Sequence, residues 1–209
     1  MGQIITFAQQ KGGAGKTTLA AHLAAHWSRA GRTVALADLD GQGSLTRWAQ
    51  LRGEQDLEII ETRDYRAAGD LRAAARRRDV VLVDCPGAAS NLLDSAIRES
   101  DLVVVPCQPS AMDVWASDSI LAAAARLGRP ARIAFNRVPP HAAAVDEARE
   151  ALGAGRNVLS ATLGNRVAFA RAMQRGQSAG ELSRTSRAAA ELAALADELD
   201  RALSEPAAP

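Results

Sequence analysis

An α/β fold built on one doubly wound, mostly parallel sheet is what this sequence predicts, and three observations predict it. Short β-branched runs alternate along the chain with Ala-rich stretches of helical character, the order that gives parallel strands joined by crossover helices. The runs are apolar at nearly every position rather than at every second one, as strands covered on both faces must be. The first run ends in a glycine-rich turn that leads straight into a helix, and sheets of this kind take their ligands at the carboxyl ends of the strands.

Strands are expected over Ile4–Phe7, Val34–Ala37, Leu57–Ile60, Val80–Val83, Leu102–Val105, Arg132–Phe135 and Asn157–Leu159. Helices fit between and after them, over Lys16–Ala30, Ser44–Leu51, Tyr65–Arg76, Asn91–Ser100, Val114–Leu127, Ala143–Leu152, Arg166–Arg175 and Arg187–Leu203. No internal repeat and no long linker divides the series, so residues 1–203 read as one domain. The tail 204–209, "SEPAAP", is expected to fray.

Composition narrows the function classes. At 209 residues, with 47% hydrophobic and 23% charged side chains, the chain is long enough to bury a sizeable core. Its formal net charge is +1, so any attraction to nucleic acid or anionic lipid must come from a local patch. Cys85 and Cys107 sit at no metal-ligand spacing, and the segment from Met1 runs into a strand rather than a signal peptide. A reducing cytoplasm is the expected setting. No stretch approaches the roughly 20 apolar residues of a membrane span.

The segment "QQKGGAGKTT" holds Lys11 and Lys16, the only lysines in the sequence. A strand, a glycine-rich turn and a helix start make G-x-x-x-x-G-K-[ST] a phosphate loop rather than a chance match, although Gln10 stands where the first glycine belongs. Gly12, Gly13, Ala14, Gly15, Lys16, Thr17 and Thr18 would wrap a nucleotide polyphosphate with backbone N–H groups at the helix N-terminus. Lys16 suits the β- and γ-oxygens as a compact point charge, and Thr17 can place its hydroxyl on Mg²⁺. A nucleotide polyphosphate and Mg²⁺ are the expected ligands. His22 and His26, four apart with Leu23 between them, lack the zinc-protease pattern and read as surface or core-edge residues. Arg76, Arg77 and Arg78 suit a helix C-terminus.

"KGGAGKTT" resembles the deviant Walker A loop of the ParA/MinD family of ATPases. The resemblance implies a P-loop NTPase in which Lys11 reaches across a nucleotide-sandwich dimer to the partner's phosphates; by itself Lys11 is also a plain solvated loop charge. "ALADLDGQGSLTRW" is similar to the family's segment after the second strand, with Gly41 in place of the usual Pro. That places Asp40 where a carboxylate helps position the attacking water and the Mg²⁺ shell, while a strand-ending cap for the helix near Ser44 is its local alternative. "DVVLVDCPG" resembles Walker B, so that Asp84 would hold Mg²⁺ through water and the Gly87 N–H would sense the γ-phosphate. Carboxylates at strand ends also form turns. "AFNRV" resembles the base-side strand end, implying that Asn136 and Arg137 flank the adenine; a turn-forming Asn is the other reading.

From Arg156 to Arg187 six arginines face one acid, Glu181, a local excess of +5. The segment resembles the family's sequence-independent DNA surface, with Arg166, Arg171 and Arg175 projecting from one helix while Val167, Ala170 and Met173 pack inward. A solvated helix face is the alternative. The stripe Leu192, Leu195, Leu199, Leu203 reads as packing onto the domain, and the acids around it disfavour a lipid-binding helix.

Taken together, the resemblance implies a slow, partner-stimulated ATPase that dimerises on ATP, binds double-stranded DNA nonspecifically and works with a ParB-like or other adaptor. It would be cytoplasmic and nucleoid-associated, with no membrane anchor, and would position a plasmid, a chromosome region or a protein cargo. Two alternatives stand beside it: a metabolic or metal-cluster ATPase related to the nitrogenase iron protein, sharing a cluster through Cys85 and Cys107, and a nucleotide-gated scaffold.

Overall fold

The computed structural model of the chain describes residues 1–53, 57–62, 65–140, 143–153 and 158–204. Seven strands form one sheet: β1 (Gln3–Phe7), β2 (Val34–Asp38), β3 (Leu57–Ile60), β4 (Val80–Asp84), β5 (Leu102–Cys107), β6 (Ala131–Val138) and β7 (Val158–Gly164). Between and after them run α1 (Lys16–Arg29), α2 (Ser44–Arg52), α3 (Ala67–Ala75), α4 (Asn91–Glu99), α5 (Ala111–Arg126), α6 (Ala143–Leu152), α7 (Val167–Met173), α8 (Ala179–Leu182) and α9 (Arg187–Ser204).

Strand order is β3-β2-β4-β1-β5-β6-β7, and every described pairing is parallel. The sheet is therefore wholly parallel, where the sequence suggested mostly so. β1 lies at the centre, with β4 on one side and β5 on the other, and the chain winds outward in opposite directions from it. Two apolar layers follow. One packs Phe7, Leu19, Leu23, Trp27, Leu82 and Leu195 between the sheet and α1, α2, α7, α8 and α9. The other packs Leu71, Val83, Ile97, Val105, Ile120 and Phe135 against α3 to α6. No helix among the described residues is long and apolar enough to cross a membrane.

All seven expected strands form, and the differences lie at the ends. β6 and β7 run longer than their apolar cores; Asn157 and Arg156 fall outside the described residues. β7 is an edge strand, and α9 covers the edge chemically as well as sterically. Glu198 accepts hydrogen bonds from the Ser160 and Ala161 N–H groups, each at 2.7 Å, and Glu191 accepts one from Gly164 at 3.1 Å. Those carboxylates occupy backbone donors that would otherwise pair with another chain.

The expected helix Arg166–Arg175 is shorter and turned. Arg166 is the N-cap of α7, and Phe169 and Ala172 form its buried face, so Val167 and Ala170 are exposed rather than packed inward. Beyond it, Ser178 and Glu181 make a reciprocal capping box that starts α8, the S-x-x-E signature of a helix start. Gly176 joins the two at φ +66°, and a Cβ there would lie 2.4 Å from the Arg52 backbone nitrogen. Arg52 also clamps Glu181 with paired hydrogen bonds of 3.0 and 2.9 Å. Gly176→Ala is thus expected to lower stability by roughly 2–4 kcal/mol through left-handed strain and backbone overlap. A urea unfolding midpoint equal to that of the unmodified chain would contradict this packing.

Candidate nucleotide site

The site forms where the strand order reverses, above the carboxyl end of β1. There Gly13 and Gly15 take φ values of +80° and +102°, which glycine adopts without the Cβ clash of other residues. A Cβ on Gly15 would meet Asn136 Nδ2 at 2.2 Å, whereas Gly12 and Gly13 face open space. The loop between β1 and α1 is therefore tight at its back and open at its front, as a cradle for an anion must be. Gln9, which carries no sequence motif of its own, anchors the back: its amide donates to the Pro106 carbonyl and to Ser117 Oγ, both at 3.2 Å. Its Oε1 accepts the Gln10 N–H at 2.9 Å.

Lys16 is 9% exposed, and its ammonium donates to the Gln9 carbonyl at 3.2 Å. A Cβ on Gly87 would sit at ordinary contact distance, 3.9 Å from that nitrogen and 3.5 Å from the Gln10 carbonyl oxygen, so the loop after β4 runs beside the ammonium. A slim single-point donor fits this slot; a planar guanidinium does not.

Two strand-end carboxylates lie beside the loop. Asp84, at the end of β4, is 0% exposed, and its Oδ2 accepts the Thr17 hydroxyl at 2.5 Å. Burial raises its pKa to about 7; the Thr17 hydrogen bond and Lys16 pull it down, while Asp38 and Asp40 add to the rise. Asp84 Oδ1 has no partner among the described residues. An orphaned buried carboxylate oxygen next to a threonine hydroxyl is a donor set suited to a hard cation such as Mg²⁺, whose remaining positions go to water and phosphate oxygens.

Asp38, the first carboxylate of the segment "ALADLDGQGSLTRW" and the one given no role from the sequence, is the register partner of Asp84 on β2. It accepts the Thr46 N–H at 2.9 Å and the Asp40 N–H at 3.2 Å, so it, and not Asp40, satisfies a first-turn N–H of α2, whose N-cap is Gly43. Asp40 accepts the nearby Gln42 N–H at 3.0 Å, a turn contact rather than a cap of the helix, and its side chain is half-buried.

A cavity of about 120 Å³ adjoins the loop, lined by Thr18 and His22 of α1, Asn136 and Arg137 of β6, and Leu163, Asn165, Arg166 and Phe169 at and beyond the end of β7. Asn136 donates to the Ala14 carbonyl at 2.8 Å and accepts the Arg137 N–H at 2.9 Å. Arg137 holds φ +53°, a left-handed strain at an irregularity of the β6–β7 register that exposes its side chain. His22 departs from the surface or core-edge position expected for it: it is 1% exposed and stacks edge-on against Phe169. Nδ1 lies 2.9 Å from the Thr18 carbonyl, and burial lowers its pKa to about 4. The ring is neutral at pH 7.

Of the arginines singled out in the sequence, Arg171 and Arg175 are exposed on and just after α7. Arg166 is not on their face. Its guanidinium pairs with both oxygens of Glu191, at 2.7 and 2.5 Å, and sits at the cavity wall. Lys11 pairs with Asp113 at the start of α5, a contact no local sequence pattern announces. Cys85 and Cys107 are fully buried, with thiol pKa values raised, the latter to about 11. Neither reaches a surface that two subunits could share.

A phosphate loop on the central strand of a parallel sheet, with paired carboxylates at the neighbouring strand ends, defines a P-loop nucleotide-binding protein. The family model of the CobQ/CobB/MinD/ParA nucleotide binding domain matches residues 5–179, and the chain belongs to that family of ATPases. It is 30% identical over 217 residues to Maintenance of carboxysome distribution protein A of Halothiobacillus neapolitanus, covering 96% of this chain and 94% of that protein. The fold is similar to that of apo McdA from Cyanothece, with a TM-score of 0.80 at 16% identity over 97% of this chain and 100% of the other. It is also similar to a putative plasmid partition protein of Borrelia burgdorferi bound to AMPPNP, with a TM-score of 0.76 at 17% identity over 96% and 99% of the two chains.

Proposed function

We propose that the protein is a partition- or positioning-type ATPase that clamps ATP and Mg²⁺ between two copies, holds DNA without sequence preference as a dimer, and releases it on adaptor-stimulated hydrolysis. The observation that carries this reading is the pair of lysines at one phosphate loop, Lys16 buried against the Gln9 carbonyl and Lys11 at the open mouth. One ammonium is enough for the nucleotide of its own chain, which leaves the second available for another.

The residues divide the chemistry. Backbone N–H groups from Gly12 to Thr18 and the Lys16 ammonium grip the polyphosphate, Thr17 and Asp84 hold Mg²⁺, and Gly87 lies against the γ-phosphate end. Mg²⁺, when bound, would supply neutralising charge to the phosphates. Asp40, with Asp38 bracing its segment, orients the attacking water, and Asn136 and Arg137 flank the adenine at the cavity. Lys11 approaches the facing copy's phosphates. Turnover is slow because the site is complete only across two chains and with the adaptor seated.

Arg171 and Arg175 are the exposed cations that support a DNA surface, doubled in the dimer. Cargo is a plasmid, a chromosome region or a protein body; the near whole-length match to a carboxysome distribution protein supports the last. The buried thiols remove the support for a shared metal cluster. The test is ATPase rate and DNA retention with nonspecific duplex. Arg171→Ala with Arg175→Ala is expected to flatten the salt slope of DNA binding by about 2, roughly one unit for each phosphate no longer neutralised, with ATP-driven dimerisation intact. An unchanged slope would move the DNA surface elsewhere.

A further inference from the structure

Asp113 is 1% exposed, whereas the Lys11 side chain is 38% exposed. The carboxylate lies in the first turn of α5, where Ser110 is the N-cap; Ser110 Oγ donates to Asp113 Oδ2 at 2.5 Å and accepts the Asp113 N–H at 3.3 Å. Oδ1 has no partner among the described residues. The Asp113 carbonyl accepts the Ser117 hydroxyl at 2.9 Å, and Ser117 in turn accepts from Gln9, whose Oε1 also takes the Lys11 N–H at 3.4 Å. The start of α5 is thus stitched to the phosphate loop at two points, one neutral and one ionic. The ionic point is Lys11.

A buried carboxylate that loses its cation is left strongly uncompensated, and a helix N-terminus offsets only a fraction of that loss. Lys11 therefore leaves Asp113 only for an anion that interacts with it more strongly. We infer that Asp113 is a positioning residue that parks Lys11 within its own protomer, and that transfer of Lys11 from Asp113 to the facing copy's triphosphate is the step that makes dimerisation depend on ATP. This rests on the cross-dimer role of Lys11 given above. Without triphosphate the pair holds, and two protomers that meet find the second lysine already engaged. An Asp113 that no longer holds the lysine raises the fraction of competent protomers, and apparent affinity between copies rises in proportion.

The sequence supplies a direct probe, because Lys11 and Lys16 are its only lysines. The nucleotide-free chain is acylated with acetic anhydride and each lysine followed by peptide mass spectrometry. In Asp113→Asn, Lys11 is expected to label several-fold faster than in the unmodified chain while Lys16 keeps its rate. The same variant is expected to dimerise with Mg-ATP at a protein concentration lower by up to about tenfold, read by sedimentation. Equal Lys11 labelling in the two proteins, each folded by circular dichroism, overturns the parking contact. Faster labelling with an unchanged dimerisation midpoint overturns the gate. Lys11→Ala separates the two readings: if it dimerises as well as the unmodified chain, the cross-dimer lysine itself fails. Should Asp113→Asn not fold, Lys11→Gln carries the test, since it strands the carboxylate and must lower the thermal midpoint of the nucleotide-free protein; an unshifted midpoint overturns the proposal.

Discussion

Lys16→Ala is expected to weaken Mg-ATP binding by a factor on the order of 10²–10³, the loss of one or two charge-assisted hydrogen bonds to phosphate at about 1.5–3 kcal/mol each. The geometry makes the loss hard to compensate. Lys16 is 9% exposed and its ammonium is held by the Gln9 carbonyl at 3.2 Å, while the other lysine of the loop, Lys11, is paired with Asp113. Lys16→Arg is expected to fail almost as badly, because the bulkier planar fork must fit a position that leaves Lys16 only 9% exposed. Titration with a fluorescent ATP analogue checks both, and affinity within threefold of the unmodified chain for Lys16→Ala would remove the ammonium from the phosphate site.

Asp84→Asn is expected to abolish hydrolysis and, in the nucleotide-free protein, to stabilise the fold. The carboxylate is buried, and its pKa rises from 3.8 to about 7 chiefly by desolvation. A folded pKa above the unfolded one means that the native state holds the proton longer. The stability so contributed is intact below pH 3.8 and is lost as pH rises to about 7, an effect on the order of 4 kcal/mol at 1.36 kcal/mol per unit. His22 has the opposite sign. Its pKa falls from 6.5 to about 4, so its contribution is present above pH 6.5 and is lost as pH falls through the same range, on the order of 3 kcal/mol. In the unmodified chain the two slopes oppose each other. Removing the Asp84 charge uncovers the His22 limb, and Asp84→Asn should gain stability at pH 7 yet lose it steeply towards pH 4. Denaturant unfolding across that range decides it, and a pH profile parallel to that of the unmodified chain would refute the assignment. The same charge that costs stability here is the one a bound cation uses, the usual trade between an active site and its fold.

Much of this was legible because it is local. The strand runs are apolar on both faces, and that pattern alone implies helices above and below a parallel sheet. The glycines at 13 and 15 signal a backbone that must turn left-handed, and Lys16 and Thr17 follow them at fixed spacing. Asp84 ends an apolar strand, which brings its carboxylate to the ligand-bearing edge of the sheet. The capping box Ser178–Glu181 is equally local and still hard to see, because four residues of helix carry no periodicity to draw attention to it.

What stayed hidden for a deeper reason depends on partners far along the chain. Lys11 and Asp113 are 102 positions apart, and nothing near either residue specifies the other. Arg166 looks like a phosphate-facing cation until α9 brings Glu191 against it. His22 looks peripheral until Phe169 closes over it. Asp38 matters through strand register, which sets it opposite Asp84.

By itself the sequence determined the layered parallel fold, the phosphate loop and the strand-end carboxylate, since hydrophobic periodicity, glycine dihedrals and fixed spacing act within a few residues. Tertiary structure alone decided which charges are free to meet a ligand and which are already matched. Ionic pairing and desolvation depend on distance in space, and the packing of α5, α7 and α9 is what sets those distances.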